Sequence, residues 1–324
     1  LPPALQDELG RRLCAVAINR YPGARVDELK AALHAYAAPP AGWSLMLGNG
    51  SDELISLLAM ACDIPGASIV APVPGFVMYA MSAQLQGLAF HGVPLTADFA
   101  LDETAMRAAI ATHRPAILYL AYPNNPTGTL WDAGVIARLI AAQAAQGGLV
   151  VMDEAYQPFA ARSWIENARA APDAHRHVLI MRTLSKFGLA GVRIGYMLGD
   201  AALIAEIDKV RPPYNISVLN AECALFAIEH SDVFAAQALD IQAQRALIIE
   251  ALGKLPAVTA YPSQGNMILV RVPDAQKVFD GMKARRVLIK NVSKMHPLLD
   301  NCVRLTVGTA DENAQMLAAL EASL

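Results

Sequence analysis

Four stretches of the chain carry side chains that are costly to bury and useful in a reaction site. Lys186 closes Arg182-Thr183-Leu184-Ser185-Lys186 behind an apolar run. A lysine held there among small residues can be desolvated, so its amine becomes available as a nucleophile toward an aldehyde; alone, it reads first as an exposed surface lysine. Asp153 ends another apolar run, in Asp153-Glu154-Ala155-Tyr156. A carboxylate there needs a cation or strong donors. A protonated pyridine nitrogen would serve, and a helix cap or a metal ligand is the alternative. Gly50-Ser51-Asp52 opens a helical pattern, and the free amides of such a start bind phosphate, with simple capping as the plainer reading. The run from Gly188 to Arg193 brings a guanidinium that can hold the same phosphate bidentately, and Ser185 adds a hydroxyl.

These groups need a scaffold that gathers them. Short apolar runs at 68–71, 116–121, 148–152, 178–181 and 195–198 alternate with helical patterns at 52–61 and 132–145, which predicts an α/β fold with a mostly parallel central sheet flanked by helices. Ligands of such sheets bind beyond the carboxyl ends of the strands, and four such ends are chemically unusual: those at 48–53, 122–128, 153–156 and 182–186. After about residue 212 the pattern changes. A strand at 267–272, a helix at 275–284 and strands at 287–290 and 302–307 predict a smaller α+β domain. The expected division is a large domain at 20–214, and a small one made of 1–19 and 215–324. Read together, a lysine, a strand-end aspartate, phosphate donors and an arginine describe a site for pyridoxal 5'-phosphate.

Composition narrows the alternatives. With 324 residues, 55 % of them hydrophobic and 17 % charged, the chain can bury a large core. The net charge of −3 comes without a basic block, against a nucleic-acid partner. No apolar run is long enough to span a membrane. Cys14, Cys62, Cys223 and Cys302 form no paired motif, which fits the cytoplasm. His175 and His177 flank Arg176 and the other histidines are scattered, so no metal is expected. The chain opens Leu1-Pro2-Pro3 with neither an initiator methionine nor a signal pattern, and is expected to be trimmed at its start.

Over nearly its whole length the sequence resembles the fold-type I aminotransferases, and among them the histidinol-phosphate aminotransferases. The resemblance rests on Asn19-Arg20-Tyr21-Pro22, Gly50-Ser51-Asp52-Glu53, Asn124-Asn125-Pro126-Thr127-Gly128, Asp153-Glu154-Ala155-Tyr156, Arg182-Thr183-Leu184-Ser185-Lys186 and Val303-Arg304-Leu305-Thr306-Val307-Gly308-Thr309. It implies that Lys186 is the Schiff-base lysine, Asp153 the partner of the ring nitrogen, and Asn125 and Tyr156 the donors to the ring hydroxyl. Ser51, Asp52, Ser185 and Arg193 would form the phosphate cup, with Glu53 beside them. Phe76 would stack on the ring, with Tyr79 as the alternative. Tyr21 would reach the cofactor and substrate of a neighbouring subunit, which implies a homodimer. Arg304 would receive the substrate's anionic group, assisted by Lys290, and Asn125 would touch the substrate too.

The implied reaction is amino transfer between L-histidinol phosphate and 2-oxoglutarate, giving imidazole acetol phosphate and glutamate in histidine biosynthesis. An aromatic amino-acid aminotransferase or a phosphothreonine decarboxylase shares these markers. A binding domain that senses the cofactor without turnover belongs to another class, and would need a basic DNA-binding segment that the chain lacks. Two departures stand out. The stretch between Lys186 and Arg193 is one residue shorter than the common pattern, and the amino-terminal arm that closes over substrate in relatives is absent.

Overall fold

The computed structural model describes all 324 residues. Seven strands build the larger sheet: β1 (Trp43–Gly48), β2 (Ser68–Val73), β3 (Ala89–Pro94), β4 (Ile117–Ala121), β5 (Leu149–Asp153), β6 (Val178–Thr183) and β7 (Gly195–Asp200), in the order β1-β7-β6-β5-β4-β2-β3. β2 to β6 run parallel, while β7 lies antiparallel to both its neighbours, β6 and β1. Buried on both faces, the central strands alternate their side chains between two cores. Val70, Leu118 and Leu120 face one; Ile69, Ile117 and Tyr119 face the other, the period of two that a pleated strand imposes.

Eight helices precede the second sheet's side of the chain: α1 (Pro3–Cys14), α2 (Ala24–Ala37), α3 (Ser51–Ala61), α4 (Met78–Gln86), α5 (Glu103–His113), α6 (Ala133–Ala144), α7 (Ile165–Ala170) and α8 (Ala201–Asp208). Then follow α9 (Val218–Glu229) and the 22-residue α10 (Ser231–Leu252). The smaller sheet, of β8 (Thr259–Ala260), β9 (Met267–Arg271), β10 (Lys290–Asn291) and β11 (Cys302–Thr306), is antiparallel in the order β10-β11-β9-β8. It packs its own core with α11 (Ala275–Ala284) and α12 (Ala310–Glu321).

The chain order turns over between β2 and β4, the switch point at which sheets of this kind leave a crevice. Those two strands pair only through Ile69 with Ile117 and Val70 with Leu118. Their carboxyl ends are therefore free to part, and the site lies there. One expectation from sequence is corrected. The strand expected at 287–290 shrinks to Lys290–Asn291, because the edge of a small sheet offers only one partner strand, and β11 meets it at two residues. The run at 195–198 is a strand as expected and runs antiparallel to β6, since the residues between them form two short helical turns and no crossover α-helix.

Candidate active site

A cavity of about 260 Å³ opens at the carboxyl ends of the parallel strands. Its walls come from elements far apart in sequence. Ser51 and Asp52 stand in the first turn of α3, where Gly50 takes φ 78°. A side chain on Gly50 would place its first carbon 2.8 Å from Arg193 Nη2. On Gly195 it would meet the Gly50 backbone at 2.5 Å. Both glycines thus let the helix start, the arginine and β7 crowd together. Arg193 itself sits in the left-handed region at φ 53°. Its guanidinium reaches Ser185 Oγ at 3.3 Å and Asp52 Oδ2 at 3.6 Å. After Lys186 the chain makes a wide helical turn with Gly188 at φ 122°. Both charged ends still face the cavity.

Lys186 lines the middle of the cavity, its Nζ 5.5 Å from the centre of the Tyr156 ring. Burial pushes its pKa below the usual lysine value. Arg304 and Arg193 push the same way, and Asp52 opposes them. Asp153, the last residue of β5, is 4 % exposed. Its Oδ2 accepts from the Tyr79 hydroxyl at 2.6 Å and its Oδ1 from the Ala155 amide at 3.0 Å. Burial raises its pKa to about 6 against those two donors. None of the charges acting on it is cationic, so its ionised form would gain from a cationic ligand group placed against it.

At the other end of the cavity, Arg304 on β11 stands opposite Lys290 on β10. Arg304 Nη1 donates to Asn125 Oδ1 at 2.7 Å, while its buried Nε has no partner. Asn125 follows β4 in a loop whose Tyr122–Pro123 and Asn125–Pro126 peptide bonds are both cis. Buried Asn124 ties that loop to Pro74 O and to Thr127 Oγ1.

Phe76 lines the cavity. The Tyr79 ring is stacked instead on Tyr119, 4.2 Å between centres, which favours Phe76 as the aromatic face and gives Tyr79 another part. Two expected residues lie elsewhere. Glu53 is not part of the cavity lining; its carboxylate accepts from the Asn49 amide and from Asn215 Nδ2, each at 2.7 Å, and so braces the loop before α3. Tyr21 is 77 % exposed and stacks on Tyr214 outside this cavity. Sequence reasoning missed Thr183, whose Oγ1 accepts from the Ser185 amide and donates to Ser185 Oγ. It also missed the Tyr79 to Asp153 bond. Thr183 lies inside the Arg182–Lys186 motif and Tyr79 is named from sequence only as a stacking alternative; the hydrogen bonds each makes are set by the fold and leave no mark in sequence.

The donor set fits pyridoxal phosphate. An uncompensated buried carboxylate faces a base, a lysine of lowered pKa supplies the amine, and a helix start crowded against an arginine receives a phosphate. Fold and site together define a pyridoxal-phosphate-dependent transferase, and the chain belongs to the aminotransferase class I and II family, which matches residues 4–320. Among its relatives, the histidinol-phosphate aminotransferase of Acidovorax sp. (strain JS42) is 68 % identical over 325 residues, covering 100 % of this chain and 88 % of that protein. That of Polaromonas naphthalenivorans (strain CJ2) is 68 % identical over 324 residues with the same coverage. Among solved structures, the histidinol-phosphate aminotransferase of Sinorhizobium meliloti in complex with pyridoxal-5'-phosphate has a TM-score of 0.84 at 25 % identity, covering 98 % of this chain and 86 % of that one. The enzyme of that name from Clostridium acetobutylicum, at 20 % identity, shares the fold with a TM-score of 0.88, covering 99 % and 95 %.

Proposed function

We propose that this chain is a histidinol-phosphate aminotransferase, moving an amino group between L-histidinol phosphate and 2-oxoglutarate in histidine biosynthesis. The 68 % identity over the whole chain to enzymes of that name carries the reading. The paired cations Arg304 and Lys290, facing Lys186 across one cavity, support it.

When bound, pyridoxal phosphate supplies an aldehyde that captures amines and a ring that withdraws electrons. The residues of the chain do the rest. Lys186 would hold the cofactor through its amine, and the same amine, its pKa lowered by burial, is suited to accept and return a proton at the substrate carbon. Asp153 would pair with the ring nitrogen and favour its protonated form. Asn125 and Tyr156 would donate to the ring hydroxyl, and Arg304 orients Asn125 by holding its oxygen. Ser51, Asp52, Ser185 and Arg193 would hold the cofactor phosphate, and Phe76 would cover the ring. Arg304 and Lys290 receive the substrate phosphate in one half-reaction and a carboxylate in the other, a pair of anions that one planar fork accommodates. In a homodimer, Tyr21 of one subunit would complete the site of the other; its exposure and its place outside the cavity of its own chain support this. No helix is long and apolar enough to cross a membrane, and the cytoplasm is the proposed location.

The test is the absorption spectrum of the cofactor-loaded protein after addition of L-histidinol phosphate, phenylalanine or glutamate, with Lys186→Ala as control. Fastest conversion to the pyridoxamine form by histidinol phosphate, and loss of the lysine-bound band in the variant, are expected. Faster conversion by phenylalanine would overturn the substrate and leave the class intact.

A further inference from the structure

Tyr79 is 2 % exposed, yet its hydroxyl is not idle. Its ring lies flat on Tyr119 and edge-on to Phe76, 5.7 Å between centres. That packing needs no hydroxyl: the Tyr119 hydroxyl, equally buried in the same stack, has no partner at all. The Tyr79 hydroxyl instead donates to Asp153 Oδ2 at 2.6 Å, while the Ala155 amide holds Oδ1. Each carboxylate oxygen therefore has one fixed donor from a different element, and the plane of the group is set before any ligand arrives.

We propose that Tyr79 is a positioning residue which, through its hydroxyl on Asp153 Oδ2, orients that carboxylate toward the ring nitrogen of the cofactor and favours its ionised form. The inference rests on the reading of the site given above. Burial, and then the Asp153 charge, push the Tyr79 phenol well above its ordinary pKa, so it stays a donor at any working pH. Asp52 and Glu154 oppose charge on Asp153, and no cation offsets them there; Lys186, Arg193, Lys290 and Arg304 line the same cavity without pairing with it. Without the phenol, one amide alone supports the anion, and the carboxyl should take up its proton at a higher pH. A protonated Asp153 cannot hold a cationic ring nitrogen.

The experiment measures the dissociation constant for pyridoxal phosphate by equilibrium dialysis of the holoprotein between about pH 5 and about pH 9. The chains compared are wild type, Tyr79→Phe, Asp153→Asn and the double variant, with Tyr119→Phe as the control that removes an unpartnered hydroxyl from the same stack. Tyr79→Phe should bind about tenfold more weakly near neutrality, with the acid limb of binding displaced to higher pH. In the Asp153→Asn background the same change should have no further effect, and Tyr119→Phe should bind as wild type does. An unchanged constant and acid limb in Tyr79→Phe, or an equal loss with and without Asp153, overturns this inference alone. A wild-type chain that binds no cofactor overturns the functional reading and this inference with it.

Discussion

Asp153 shows at the scale of one residue how a functional group sets itself against the fold. Its pKa is about 6 in place of 3.8 because burial penalises its charge. A carboxylate raised in this way stabilises the folded chain least where it is ionised. Its contribution is whole below the unfolded pKa and falls away as pH rises through about 6. The shift corresponds to about 3 kcal/mol above that range. Cofactor-free Asp153→Asn should therefore resist urea better than cofactor-free wild type at about pH 8, with the difference closing near about pH 4. Equal midpoints at the higher pH would mean that the ionised group is not costly. Sequence marks this residue well, since a carboxylate at the end of Leu149-Val150-Val151-Met152 is out of place in a strand. It names Tyr79 only as an alternative to Phe76 and Thr183 only within a motif, because their parts depend on which hydroxyl meets which oxygen across about 70 residues and across two, respectively.

Among elements, the ends of β5 and β6 are bolted together behind the site. Arg182 Nε donates to Glu154 Oε2 at 2.9 Å, and Ser163 Oγ bonds both partners. Both charged side chains are shielded from solvent. Since Glu154 follows Asp153 and Arg182 leads into Ser185-Lys186, the pair holds two site-bearing strand ends at a fixed spacing. Glu154→Gln leaves the guanidinium without its counter-charge, and should cost about 3–5 kcal/mol in chemical denaturation. A loss below about 1 kcal/mol would place the pair among merely superficial ones. Sequence periodicity foretold the strands that end in such groups, because they are apolar on both faces. It passed over β1 and β3. Trp43–Gly48 is a short, nearly continuous apolar run that periodicity alone cannot tell from a piece of buried helix, and Ala89–Pro94 is an edge strand with only Val93 well buried, without the pattern of a strand covered on both sides.

For the whole molecule, the open question is how many chains make one site. Tyr21 and Tyr214 stack together at the surface with 77 % and 59 % exposure, an aromatic pair open to a second chain. If Tyr21 serves a neighbour's cavity, Tyr21→Ala and Lys186→Ala each disable both sites of a homodimer. Mixing the two variants and allowing subunits to exchange should then restore activity, because one site of the mixed dimer keeps Lys186 from one chain and Tyr21 from the other. Mixtures no more active than their parents would confine each site to a single chain.

The cavity has one further property that none of its contacts contains. Four cationic side chains line it against two carboxylates, in a chain whose net charge is −3. With Lys186 and Arg193 given to the cofactor, Arg304 and Lys290 remain for the substrate, and positive charge between low-dielectric walls concentrates field lines toward them. Anions such as phosphate esters and dicarboxylates are drawn in from roughly a Debye length away, about 8 Å at physiological ionic strength, while amines of net positive charge are turned back. Selection among metabolites thus begins during diffusion, before any candidate has touched the walls.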